Sequence, residues 1–454
     1  AMQSQKIKSG PRRQAATCNG LTKRVRDLGL GQVTDPRVAG KVGYQLPTVL
    51  TALVASMATM ARSLRAVEQR TGQMVCKHQR WLGIERRIAD NTFGKVLPRL
   101  SHGELVQCLH RLVKAEHRRG NLKPTRLTRG TVVIDGKNVA TLHWPDMLRV
   151  LGLSPDETTV EQGTTLFAQR YPLTQVCIRD NGAPYALMRV HTATLVSSDA
   201  AVCVHQRPIA GHTNENGAMP ALLDELKAAY GKTRLFSLVT TDAGNTSCGN
   251  AARAVTLGLD YFMQIKVTHG EIYAEAEARL QRRRPSRAHA RATDTQNGQV
   301  VKYHAWRYDL GEDGWLDWTH ARQLVRIQRT AENMSTGEVT VGNRYYVTSL
   351  TPDALGPRTA LDTCRAHWRC ENNTHWTSDA ELMEDRRRLA WSRHPQGNLV
   401  VSALRMMALC ILAVARKLSH LGYSGETPSW GQVAKHFLLE LCGSNLETMA
   451  FDYV

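Results

Sequence analysis

The sequence lacks an unbroken apolar run of membrane-spanning length. Its longest apolar stretch, Leu46 to Met60, is interrupted by Pro47, Thr48, Thr51, Ser56 and Thr59, whereas a spanning helix needs roughly 18 or more apolar residues. A membrane protein is therefore not expected. No basic-then-apolar segment opens the chain, so no secretory signal is expected. The ten cysteines include no CxxC pair and no compact framework, which speaks against a disulfide scaffold and for reduced, cytosolic thiols. Internal repeats and low-complexity segments are also missing. What is present is bulk: 454 residues, 42% hydrophobic and 22% charged, enough for roughly two to four globular domains.

Acidic residues are scarce, and unevenly so. Forty Asp+Glu face 59 Lys+Arg, a formal charge of +19. Residues 1–130 hold 25 Lys+Arg against 7 Asp+Glu, a surplus of 18, while residues 131–454 hold 34 against 33. A surplus confined to one segment is the electrostatic footprint of a polyanion-binding domain. A solvated surface is the plainer account of any single charge run.

The chain divides by composition. A polar, basic arm covers 1–16. Helical patterns follow over 17–130, with Asp90 or Asn91 placed to cap a short helix Thr92–Leu97. Arg86, Arg87, Lys95 and Arg99 surround that helix, an arrangement compatible with a helix-turn-helix. Arg118, Arg119 and Lys123 follow a third helix, Gly103 to Arg119. From 131 the pattern changes to β-branched runs: Thr131–Ile134, Leu173–Ile178, Tyr185–Val196, Leu235–Thr240 and Tyr261–Val267, with helices Met219–Tyr230 and Asn250–Leu257 between the later ones. The order β, β, β, α, β, α, β is that of a ribonuclease H-like domain still lacking its last helix. Residues 269–361 read as a β-rich insertion, and a helical pattern over Thr363–Asp379 supplies the missing element. The expected architecture is an α/β ribonuclease H-like catalytic core (131–268 and 362–397) split by that insertion, with a helical N-terminal DNA-binding domain (17–130) and a helical C-terminal region (398–454).

Three carboxylates stand out in that layout. Asp135 ends the first strand, Asp242 ends the fourth, and Glu371 lies on the last helix. First and fourth strands are neighbours in such a sheet, so the aspartates would meet at their carboxyl ends and the helix would bring Glu371 to them. Hard oxygen ligands suit two Mg²⁺ or Mn²⁺ ions roughly 3.5–4 Å apart, the geometry for in-line attack on a phosphodiester. Each aspartate alone reads as an ordinary turn residue; the joint order is what is informative. His367 lies one turn before Glu371 and His375 one turn after, so the helical reading puts all three on one face. His367 is then placed to orient Glu371 or touch a scissile phosphate, or it is simply a structural histidine. Asn372 and Asp379 are supporting candidates. Cys364, His367, Cys370 and His375 offer zinc-type ligands, but C-x2-H-x2-C-x4-H is not a standard finger spacing, and a helix turns Cys370 away from the Cys364/His367 face.

The sequence resembles the DDE transposases of the H-repeat-associated insertion-sequence group over roughly residues 34–410. The matching segments are Val133-Ile134-Asp135-Gly136-Lys137, Thr213-Asn214-Glu215, Thr241-Asp242-Ala243, Asp260-Tyr261-Phe262 with Ile265-Lys266, and Tyr345-Tyr346-Val347-Thr348-Ser349-Leu350. The longest is His367-Trp368-x-x-Glu371-Asn372-x-x-His375-Trp376-x-x-Asp379, followed by Glu384-Asp385. The chain departs from that group by a longer segment around Trp144–Gln169 and by Asn138-Val-Ala-Thr141 after Lys137. The resemblance implies Asp135, Asp242 and Glu371 as the metal-binding triad. It also implies terminal inverted repeats and target DNA as double-stranded partners, and a homodimer on DNA. A nucleoid-associated place in the cytoplasm follows. Lys266 is then a backbone-phosphate candidate. Of the insertion's tryptophans, Trp315 and Trp318 either stack on DNA bases, as insertions in related transposases do, or with Trp306 fill a small β-core. Two other readings stand beside it: a non-transposing endonuclease of the same fold, and a domesticated DNA-binding protein without activity.

Overall fold

The computed structural model describes residues 20–74, 82–311, 316–384, 394–418 and 427–442. The expected basic arm 1–16, Trp315 and the last part of the C-terminal region lie outside them. Among the described residues, ten strands form one mixed sheet. They are β1 Thr131–His143, β2 Gln175–Ile178, β3 Pro184–Leu195, β4 Val202–Ile209, β5 Leu238–Thr241, β6 Asp260–Ile265, β7 Ala290–Gln296, β8 Gln299–Asp309, β9 Gln323–Asn333 and β10 Val339–Thr348. Their order is β2-β3-β1-β5-β6-β10-β9-β8-β7, with β4 beside the second half of β3.

The centre of the sheet is the β-branched run of β1. Thr131 to Ile134 are fully covered, lying between antiparallel β3 and parallel β5. Such double-sided burial suits a continuous Val/Ile run rather than an alternating one. β1, β3 and β4 form an antiparallel meander, and β5 and β6 run parallel to β1. Two expectations need correction here. β1 does not stop at Asp135 but continues to His143, and the third meander strand is β4, with Gln175–Ile178 only a short flank. The sequence Val-Cys-Val-His-Gln-Arg-Pro-Ile hides β4 because Pro208 argues against a strand; β4 pairs with β3 alone, and edge strands accept proline.

The β-rich insertion does not form a separate sheet. β10 pairs antiparallel with β6, so β7–β10 prolong the core sheet. Helix Glu271–Leu280, not anticipated from sequence, covers one face through Ile272, Ala276 and Leu280. Helix Pro357–His367 covers the other through Ala360, Leu361 and Cys364, packed on Ala305, Val325 and Ile327.

The remaining helices share one core with the sheet. Helix Gly397–Leu418 is long and apolar enough, by length and composition, to cross a membrane, which corrects the expectation drawn from Leu46–Met60; 89% of its apolar window is buried inside the fold. It packs on helices Leu46–Met57 and His102–Arg118 and on β4. Buried apolar side chains from Leu21 to Leu122, among the described residues, therefore belong to the same cluster as β1, β4 and the C-terminal helices. The short helix runs Asp90–Val96 with Ala89 at its N-cap. Asp90 does not cap it; instead the Asp90 amide donates to Glu68 at 3.2 Å.

Candidate metal centre

The pairing of β1 with β5 ends at Ile134 opposite Thr241. Asp135 and Asp242 are the next residues along each chain, so parallel pairing sets them side by side where the β1–β5 pairing ends, Asp242 just past β5 and Asp135 within β1. After Asp242 the chain turns sharply: its carboxylate accepts from the Asn245 amide at 3.1 Å and from Asn245 Nδ2 at 3.0 Å. Ser247 then caps helix Cys248–Thr256. These bonds hold the Asp242 side chain over the strand ends.

Glu371 arrives from a chain segment far away in sequence. Helix Pro357–His367 leads into a five-residue π-turn, Glu371–His375, and then Trp376–Glu381. Single π-turns inserted in helices mark functional sites often. Here the wider turn brings Glu371 and His375 onto the same two strand ends. Hydrophobic periodicity does not encode an i→i+5 register, which is why the sequence reads as a plain helix. Asn372 lies within this turn.

The electrostatics show that the acids act on one another. Burial, then Asp242, Glu371 and Glu215, push the Asp135 carboxyl up to about 7. Glu371 is raised by burial and by Asp242, against the pull of the Arg344 guanidinium. Glu215 is raised by burial and Asp242. Glu215 is the site residue that sequence reasoning missed as such. It opens helix Glu215–Tyr230, capped by Asn214, and an acid in a first helical turn reads as a helix-dipole residue. Its carboxylate lies so close to the backbone after Asp135 that a Cβ on Gly136 would stand 2.1 Å from Glu215 Oε1. Gly136 is thus required for the approach.

Histidines support this cluster from behind. His375 Nδ1 is 3.3 Å from Asp135 Oδ2, and its Nε2 is 2.7 Å from Thr192 Oγ1. Burial, aided by Lys137, lowers His375 to about 3, so the ring is neutral and bridges Asp135 and Thr192. His367 is also neutral, lowered by burial to about 4. Its Nδ1 lies 3.3 Å from Thr240 Oγ1, and it senses Asp242. His367 therefore stands behind Asp242 rather than orienting Glu371. His191, another buried neutral ring, sits 2.9 Å from Asn245 Oδ1 and so steadies the residue that holds Asp242.

Asp379 does not extend the acidic face. Lys137, two residues beyond Asp135 on β1, points to Asp379 at 2.5 Å and to buried Glu384 at 3.3 Å. Arg405 meets Glu384 from helix Gly397–Leu418. This internal network anchors the segment after the π-turn.

Asp242, Glu371 and Glu215 act on the Asp135 carboxyl electrostatically, and repulsion of this kind is what a divalent cation would relieve, but among the described residues no three of these four carboxylates bring ligand oxygens within 4.8 Å of one another. The group that does is mixed: ligand atoms of Asp135, Cys370 and His375 lie within 4.8 Å of one another. Half of the sequence's Cys/His cluster thus does come together, while Cys364 faces the Tyr346 hydroxyl at 3.0 Å. Burial and Asp135 push the Cys370 thiol well above its ordinary range, and Thr192 occupies His375 Nε2, so two of the three ligands in this group are not free to bind an ion as they stand.

The expected DNA contacts fall into three groups. Lys95, Arg118, Lys123 and Lys266 are exposed. Arg86 lies over the Tyr44 ring, Arg87 pairs with Glu68, Arg99 donates to the Pro36 carbonyl, and Arg119 binds Asp27 and Glu116. Trp318 is a correction: it is 9% exposed and packed beside His269, so it belongs to the β-core with Trp306 and offers no surface for a base. Comparison with known proteins finds no family model that matches the chain and no curated protein that matches it.

Proposed function

We propose that the protein is a DDE-type DNA transposase with a ribonuclease H-like core, cutting at the ends of its element and joining the 3′ ends to target DNA. One observation supports the reading: Asp242 and Glu371, from segments remote in sequence, both act electrostatically on Asp135, and Asp135 and Asp242 each follow paired residues of adjacent parallel strands in a sheet ordered β4-β3-β1-β5-β6. That order, with β1 between an antiparallel and a parallel neighbour, is the one expected of the core. When bound, two Mg²⁺ or Mn²⁺ ions would supply the activation of an attacking oxygen and the stabilisation of the leaving 3′ oxygen.

The chain's own residues do the rest. Asp135, Asp242 and Glu371 hold the ions, and Glu215 adds a fourth carboxylate beside Asp135. His375 fixes the Asp135 rotamer, and Asn245 fixes that of Asp242. Lys137, held by Asp379 and Glu384, keeps the segment after the π-turn in place. Water and then a 3′ hydroxyl serve as nucleophiles, so no side chain needs to form a covalent link to DNA. Joining two ends calls for at least a dimer on double-stranded DNA, in the cytoplasm at the nucleoid.

The test is Mg²⁺-dependent cleavage and strand transfer on the element's own terminal repeats, comparing wild type with Asp242→Ala. Joined products that vanish in the variant support transposition. Cleavage without joining supports an endonuclease instead. Specific binding without cleavage leaves only a DNA-binding protein.

A further inference from the structure

A second feature stands beside the carboxylates: a groove of about 860 Å³ between the insertion sheet and the helix leading to Glu371. Strand alternation builds its floor. Ile327 and Arg329 of β9 face the same way, and opposite them on β10 stand Arg344 and Gly342. Ile327 is buried against Leu361 and Cys364 of helix Pro357–His367. Arg329, one alternation further out, passes the end of that packing and lines the groove. Gly342 leaves the floor open, since nothing lies within 4 Å of where its Cβ would stand.

The groove is strongly basic. Arg126, Arg329, Arg344, Arg358, Arg365 and Arg369 line it, with Asp362 as the lining carboxylate. Asp199 and Asp294, just outside, pair with Arg126 and Arg365, so six arginines face three acids. Arg369 donates to the carbonyls of Val196, Ser198 and Asp199. Arg329 and Arg344 form no ion pair with any described carboxylate: Arg329 donates to Gln299 at 3.4 Å, and Arg344 lies 4.2 Å over the Trp368 ring. Trp368 directly follows His367, which stands behind Asp242, and Arg344 pulls on Glu371 electrostatically. None of Asp135, Asp242, Glu371 and Glu215 lines the groove; Trp368 and Arg344 are what connect the groove to them.

A single small anion does not need six guanidinium groups spread along a channel. A polymer with regularly spaced phosphates does, and planar guanidinium forks suit phosphate oxygens. We propose that this groove is the track for the phosphodiester backbone of the DNA strand presented to Glu371, with Arg329 and Arg344 as its phosphate contacts. Trp368 acts as a positioning residue: covered by Arg344, it holds that guanidinium rather than stacking on a base. Contact is thus to the backbone and independent of sequence. The inference rests on the reading of the site as one that acts on DNA.

The experiment measures binding of the full chain to a random-sequence DNA duplex in EDTA across a salt series, by fluorescence anisotropy. For Arg329→Ala with Arg344→Ala we expect affinity to fall roughly tenfold or more, and the slope of log affinity against log salt to fall by about two. Gly342→Glu places a carboxylate in the open floor without removing any arginine, and we expect a loss of similar size. Arg282→Ala with Arg283→Ala serves as control on the other face, where Arg326 bonds the carbonyls of Leu280, Gln281 and Arg283, and we expect no change. An unchanged slope in the double variant, provided that it melts like wild type, overturns the proposal; should that variant unfold, unchanged affinity in Gly342→Glu does so alone. Tighter groove-dependent binding of an RNA of equal length overturns the assignment to DNA. Mg²⁺-dependent cleavage by wild type is read separately. Groove-dependent binding without cleavage sinks the enzymatic reading and keeps the groove, and cleavage with groove-independent binding does the reverse.

Discussion

The N-terminal helices and the arginine groove are both rich in arginine, yet they use it differently. In the N-terminal region the guanidinium groups bind the fold itself. Arg24 lies 3.2 Å from Glu116, Arg119 lies 2.6 Å from Asp27, and Arg37 lies 2.7 Å from Asp35. Arg111 donates to the carbonyls of Leu28 and Gly29. In the groove, Arg329 and Arg344 form no ion pair with a described carboxylate, though Arg344 acts on Glu371 at a distance. A segment's net charge counts side chains; only their pairing decides which remain available to a polyanion.

The largest expected effect lies at the groove's end. Asp242→Ala should lower Mg²⁺-dependent strand cleavage by roughly three orders of magnitude or more, while salt-dependent DNA binding in EDTA stays near wild type. A parallel loss of binding would show that the cluster and the groove are not separable.

Next comes the interior of the N-terminal region. Glu116 is 1% exposed and binds Arg24, Arg119 and Asn121. Glu116→Ala leaves a buried guanidinium uncompensated, so denaturant melts should show a loss of about 3–5 kcal/mol. A loss under 1 kcal/mol would mean that these arginines are not held by the fold, and the contrast with the groove would weaken.

Asp135 gives a smaller effect with a defined sign. Its carboxyl is held near 7 in the folded protein, above its ordinary range. As pH rises from about 4 to about 7, the unfolded chain ionises while the folded site keeps its proton, so metal-free protein loses stability across that window, and the loss is complete above 7. Asp135→Asn should therefore melt higher than wild type at pH 8 in EDTA, by on the order of 1–2 kcal/mol, and should no longer gain stability from Mg²⁺. Equal melting of the two proteins across the pH range would contradict the crowding of acids described here.

The smallest effect tests the exposed N-terminal cations. Arg87→Ala with Lys123→Ala should change duplex affinity by about twofold or less, because Arg87 is already paired with Glu68 and a lone exposed lysine contributes little. A loss matching that of the groove variants would return the main DNA contact to the N-terminal region.

Much of the core was legible in the sequence because its signals are local. Val132, Val133 and Ile134 announce a buried strand, and the same is true of Leu238–Thr241. Asp242 follows the end of β5, so it came from position alone; Asp135 was picked out by the same rule, although β1 runs past it to His143. Glu371 was legible through the Trp/His/Asn block around it. Signals that depend on neighbours were not. Pro208 masked β4 because an edge position is defined only by the absence of a partner strand. Trp318 reads equally as base platform or core until its surroundings are known.

By itself, then, the sequence determined where most of the buried strand runs begin, which aspartates follow them, and that positive charge exceeds negative. These are properties of residues and their spacing along the chain. Tertiary structure decided that Glu215 joins the acids, because only folding lays the start of helix Glu215–Tyr230 against Gly136. It decided that a π-turn brings Glu371 and His375 to the same strand ends. It also decided which arginines are neutralised, since an ion pair such as Arg24–Glu116 spans 92 positions and no local pattern can announce it.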